Sequence, residues 1–185
     1  MSGRLGFAAI LLTLSANAFA DCGDLPKRLL NIDIGGPRGY LGNVPNGVKI
    51  SFQHNFGDNG MDVMAGSVMG LDINGASAYW HNDRVYMVQA RIHGKDASDI
   101  ERALSTLLSI AKTDFNPDPR LVPKGEYLRC SDGLTARILR SQIVRSQSNQ
   151  IPILVMTVEH PKLKLRFECG RRPQQCANLP KGYLD

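Results

Sequence analysis

A chain of 185 residues with 43% hydrophobic and 21% charged side chains has the size and composition of one folded domain, and is neither collagen-like nor disordered. Its net charge of +5 is unevenly spread. From Asp21 to Pro119 nine basic residues stand against twelve acidic ones, and from Arg120 to Asp185 twelve stand against five, so the second half is the one that attracts an acidic partner.

Arg4 precedes an apolar run from Leu5 to Leu14, broken by Gly6 and Thr13 and too short to span a bilayer as a helix. Ala18 and Ala20 supply the small-x-small pattern of a signal-peptidase site. The sequence thus predicts a cleaved export signal over residues 1–20 and a single globular domain over residues 21–185. Asp21 occupies the place before Cys22 where lipid attachment wants a small residue, and no later segment is apolar for the length of a membrane helix. The expected address is the periplasm or the cell exterior, without a stable membrane anchor.

Along the mature chain, Arg28 to Ile34 reads as a first strand running into the Gly- and Pro-rich loop Gly35 to Gly42. Asn46-Gly47 turns into a strand in which Val48, Ile50 and Phe52 alternate with polar residues. Phe56 to Asp62 reads as a loop, Met64 to Ile73 as a short strand, and Asn74-Gly75 as a turn into Ala76 to His81. Tyr79 to His81, Asn82-Asp83 and Arg84 to Ile92 form a hairpin.

One helix is expected over about 98–112. Ser98 with Glu101 reads as a capping box, and Ile100, Leu104, Leu107, Leu108 and Ala111 make an apolar stripe that ends before Asn116-Pro117. Strands are expected again over Glu126 to Cys130, Leu134 to Val144 and Ile151 to His160, the last apolar on both faces like a central strand. From Leu163 to Cys169, Leu163, Leu165 and Phe167 alternate with Lys164, Arg166 and Glu168 as a half-buried strand would. The fold class is α+β, an antiparallel sheet with the main helix packed on one face and two disulfides.

Cys22, Cys130, Cys169 and Cys176 all follow the export signal. An even number in an oxidising compartment reads as two disulfides with three pairings, of which Cys169 with Cys176 and Cys22 with Cys130 is preferred. No cysteine pair has zinc-knuckle spacing and no two of His54, His81, His93 and His160 fall in a metal-binding register, so neither metal nor cofactor is expected. Gly66-Ser67 misses the nucleophile elbow of a serine hydrolase, and Asp58, Asn59 and Asp62 depart from a calcium loop.

Lys162, Lys164 and Arg166, read as one basic strand face, are the main candidate binding residues, with Arg38 and Tyr40 on the stiff loop. A loop poor in conformers can fill a partner's cleft at low ordering cost, and Gly35 to Asn46 or Phe115 to Lys124 has that composition. The sequence therefore points to a non-enzymatic periplasmic binding or inhibitor module, including immunity proteins against envelope-acting toxin enzymes. Its expected partner is another exported, acidic protein, and not nucleic acid, because aromatic residues do not interleave with the charges. An envelope assembly component docking through a sheet edge or the basic face, and a small hydrolase, are the alternatives.

Overall fold

In the computed structural model, which describes residues 20–39, 43–56, 58–112, 126–128, 130–146, 149–180 and 182–183, the first element is a helix. α1 (Asp24–Leu30) replaces the strand expected over Arg28 to Ile34. Leu25, Leu29 and Leu30 share a buried face only at helical spacing, and Asn31, at φ 56° and ψ 41°, ends the helix in the left-handed region.

Among the described residues seven strands form one antiparallel sheet: β1 (Val48–Phe56), β2 (Asn59–Val68), β3 (Leu71–His81), β4 (Arg84–His93), β5 (Glu126–Leu128), β6 (Thr135–Ser146) and β7 (Asn149–Glu159). Their spatial order is β1-β2-β3-β4-β7-β6-β5, which makes β7 an interior strand between β4 and β6 as expected, although its Thr157 and Glu159 stand on the polar face of the sheet. The expected loop over Phe56 to Asp62 is instead mostly strand, with Phe56 paired to Asn59. The turn expected at Asn74-Gly75 lies earlier, at Met69-Gly70, where both φ angles are positive (52° and 74°) as a two-residue hairpin turn requires. Asn74-Gly75 falls inside β3, where the register slips between Ile73 and Ala76. The hairpin between β3 and β4 turns at Asn82-Asp83 as expected.

α2 (Ala97–Ile110) is the expected main helix, capped two residues earlier than predicted: the Asp96 side chain, not Ser98, accepts from the Asp99 amide. It buries Ile100, Ala103, Leu104, Leu107 and Ile110 in a core shared with α1 and one face of the sheet. That face is built of cross-strand rows such as Ala78, Val88, Val158 and Ala136, all buried. The rows on the opposite face are polar: Ser77, Gln89, Thr157 and Arg137 stand side by side, followed by Tyr79, Met87, Glu159 and Thr135, none fully buried.

The largest departure from expectation is at the C-terminus. Leu163 to Cys169 is not a strand but the body of α3 (Pro161–Arg171). β7 is already flanked by β4 and β6, so the segment that follows it has no free side of β7 to pair with. Pro161 presets the first helical turn, and the His160 ring nitrogen accepts from the Leu163 amide. Because apolar and charged residues alternate, they end up distributed around the helix instead of segregating, and none of its residues is buried. The disulfides join Cys22 to Cys130 and Cys169 to Cys176, the preferred pairing.

Candidate functional site

α3 stands on the polar face of the sheet, held by three contacts. Phe167 stacks on Tyr86 with ring centroids 5.0 Å apart and meets the His81 ring at 5.6 Å. Lys164 Nζ lies 2.7 Å from Glu159 Oε2. His160 anchors the start of the helix, its amide donating to the Tyr86 carbonyl (2.8 Å) and its ring lying against Gly35. Burial, with Arg166 and Lys162 adding to it, pulls the His160 imidazole below its ordinary value, and burial pushes the Tyr86 phenol up to about 12.

Beyond α3 the chain turns through a short 3-10 segment (Pro173–Cys176), and the Cys169–Cys176 bridge closes helix and turn into a knuckle. From Pro161 to Cys176 this knuckle carries five basic side chains and one acidic. Lys162 and Arg166 are exposed and one helical turn apart, whereas Lys164 faces the sheet. The three basic residues expected to share a strand face are thus split: the helix keeps two outside and uses the third to hold itself down. Arg171 and Arg172, exposed at its end, join the outward pair, and among the described residues neither forms an ion pair.

Two hollows flank α3. One of about 300 Å³ lies between it and the sheet, lined among others by Gln89, Arg137, Thr157, Glu159 and Lys164. The other, about 330 Å³, is formed by Phe167, Glu168, Arg171, Arg172 and Gln175, with the Arg171 guanidinium 5.6 Å from the Phe167 ring centre. A larger cleft of about 590 Å³ lies at the far end, between the β2–β3 turn and α2. His93, Asp72, Lys95 and Arg102 line it, and Asp99 there is already occupied by Arg102 and by the Lys95 amide.

The other expected binding residues lie apart from this surface. Arg38 is 16% exposed and grips the fully buried Asp62 with two hydrogen bonds of 2.9 Å, its guanidinium 4.2 Å from the centre of the Trp80 ring. The stiff loop is thereby fastened to the core, with Gly35 and Arg38 amides donating to Val85 and Asp83 carbonyls. Tyr40 and the loop Phe115 to Lys124 lie outside the described residues. His81 is hydrogen-bonded through its ring to the Asn59 side chain and packed on Phe167, so it belongs to the seat of α3. Sequence reading missed the knuckle as a unit. Its signals were His160-Pro161, a helix start, and the seven-residue cysteine spacing, which closes one compact loop.

Among the described residues, no helix is long and apolar enough to cross a membrane, and the two disulfides fit an oxidising, exported location. Comparison with protein-family models, with curated proteins and with solved structures gives no match.

Proposed function

We propose that this is an exported protein-binding module that captures an acidic partner through the α3 knuckle, acting as an inhibitor of the kind that includes periplasmic immunity proteins. One observation carries the reading: the knuckle gathers Lys162, Arg166, Arg171 and Arg172 on a helix that contributes nothing to the buried core. A helix kept for stability would bury a face; this one is tied by its disulfide only to the turn that follows it, and presents charge outward. Preset cations of one sign speed encounter with an oppositely charged protein and select against like-charged ones.

The test is kinetic. Wild-type protein immobilised in its oxidised form should retain an acidic exported protein at low salt, and Lys162→Glu with Arg166→Glu should slow that association by roughly tenfold or more and flatten its salt dependence. Unchanged association in the double variant ends the reading. An adjacent reading frame encoding an exported enzyme supports the inhibitor role in particular.

Export itself is part of the proposal. Ala20 is buried, bridges Cys130, and accepts a hydrogen bond from the Ser131 amide (2.9 Å). Cleavage between Ala20 and Asp21 would remove that bridge while keeping the Cys22–Cys130 disulfide, so the intact mass of the exported protein decides whether the cut falls there or upstream.

Docking through a sheet edge, the alternative for an envelope assembly component, is favoured by β1. It is the terminal strand of the sheet, nine residues long, and among the described residues its only strand partner is β2.

A further inference from the structure

Resting on the knuckle as the docking surface, we infer that its anchor is the hollow between α3 and the 3-10 turn, and that this hollow receives one carboxylate side chain of an acidic protein partner. Arg171 and Arg172 both line it, and a guanidinium matches a carboxylate with two parallel hydrogen bonds where an ammonium offers only a point charge. Glu168 shares the lining, so the charge of the hollow is +1, which suits a singly charged carboxylate better than a doubly charged phosphate. Phe167 gives the acidic side chain's methylenes an apolar wall and holds Arg171 by its ring face.

The hollow is also preset. The Cys169–Cys176 bridge ties the helix to the turn that carries Gln175, and the Arg172 amide donates to the Glu168 carbonyl (2.9 Å). Lys162 and Arg166 lie on the outward stripe nearer the start of α3, where exposed cations affect the encounter more than the residence time. A lipid surface is the poorer occupant: Leu163, Leu165 and Phe167 are all partly buried, so α3 leaves no apolar face to sink into a bilayer.

The probe is a fluorescein-labelled hexaglutamate peptide, with hexaglutamine as the uncharged control, titrated into the oxidised full chain. Arg171→Gln with Arg172→Gln should weaken hexaglutamate binding by roughly tenfold, mainly through faster dissociation, and Lys162→Gln with Arg166→Gln by roughly threefold, mainly through slower association. Arg171→Lys with Arg172→Lys, which keeps the charge, should still lose about half or more of the affinity if the guanidinium fork matters. Equal losses from the two glutamine pairs, or full affinity in the lysine pair, overturn the anchor and leave the broader docking reading standing. Absence of any preference for hexaglutamate over hexaglutamine overturns both. Stronger competition by inorganic phosphate or by phosphatidylglycerol vesicles than by unlabelled hexaglutamate overturns the carboxylate in favour of a phosphate group.

Discussion

Two arginine settings in this molecule divide its cations into those the fold consumes and those it leaves over. Arg38 is mostly enclosed, its charge balanced by Asp62 and its flat face laid on Trp80. Arg171 and Arg172 stand in the open on a helix with no buried residue and have no ion-pair partner among the described residues. Both settings lie in segments that read as candidate binding sites in the sequence, one a stiff Gly-Pro loop and the other a basic stretch. What separates them is whether the chain itself supplies the counter-charge. A cation with a buried carboxylate of its own holds the fold together, and one without is available to a partner.

The sharpest way to break this comparison is at Asp62. Asp62→Asn leaves the Arg38 guanidinium, only 16% exposed, without its counter-charge, and the loss should be about 3 kcal/mol, the lower end of what breaking a buried pair costs because Arg38 retains some solvent. The urea midpoint should fall with its slope unchanged. The exposed pair Lys27–Asp33 (58% and 62%) supplies the contrast: Lys27→Ala should leave the urea midpoint almost unchanged. Equal effects at the two sites would show that Arg38 is no more committed to the fold than a surface lysine.

At the knuckle the comparison predicts the opposite outcome. Replacing Cys169 and Cys176 together by serine frees a seven-residue span, for which loop entropy alone gives roughly 2–3 kcal/mol. Since no residue of α3 is fully buried, that loss should fall mainly on the knuckle and not on the core. Hydrogen exchange should quicken across α3 while α2 and β7 keep their protection, and affinity for an acidic partner should drop. Loss of protection throughout the sheet would mean that α3 is part of the cooperative fold.

How much of this was legible beforehand follows the same division. The main helix, the β3–β4 hairpin and the central strand were readable because each pairs a one-face or two-face apolar pattern with a core that accepts it, as Ile100, Leu104 and Leu107 do on α2. α3 was misread because a two-residue alternation names a strand only when a sheet edge is free, and topology had already enclosed β7 between β4 and β6. The local signal for a helix, Pro161 in the first turn after His160, lies outside the alternation that names the strand. α1 was missed because its apolar face is only two helical turns long, too short for periodicity to speak. Of the candidate site, Lys162, Lys164 and Arg166 were found but not their grouping, since whether Lys164 joins Lys162 or turns against Glu159 depends on helical geometry. Nothing in the composition of Arg38's loop announced Asp62, twenty-four residues away, as its counter-charge.

The smallest predicted effect is a pH response at the foot of the knuckle. His160 caps α3 as a neutral ring, its Nδ1 accepting from the Leu163 amide, with Lys162 and Arg166 on the helix, the Lys164–Glu159 pair beside it, and Gly35 against the ring. Protonation would turn that acceptor into a donor and add a positive charge at the positive end of the helix. Burial holds the folded imidazole below its ordinary 6.5, so between 6.5 and the lower folded value the unfolded form binds more protons. Stability contributed by this group is therefore fully present above about 6.5 and is lost as pH falls through the folded value. Near-ultraviolet dichroism from the Tyr86–Phe167 stack should report α3 lifting in that window. His160→Asn, which keeps a capping oxygen that does not titrate, should hold the signal constant there. A signal that still falls with acid in that variant would move the cause from the cap to another group, and a flat one in both would show that the other contacts of α3 seat it whatever the charge on His160.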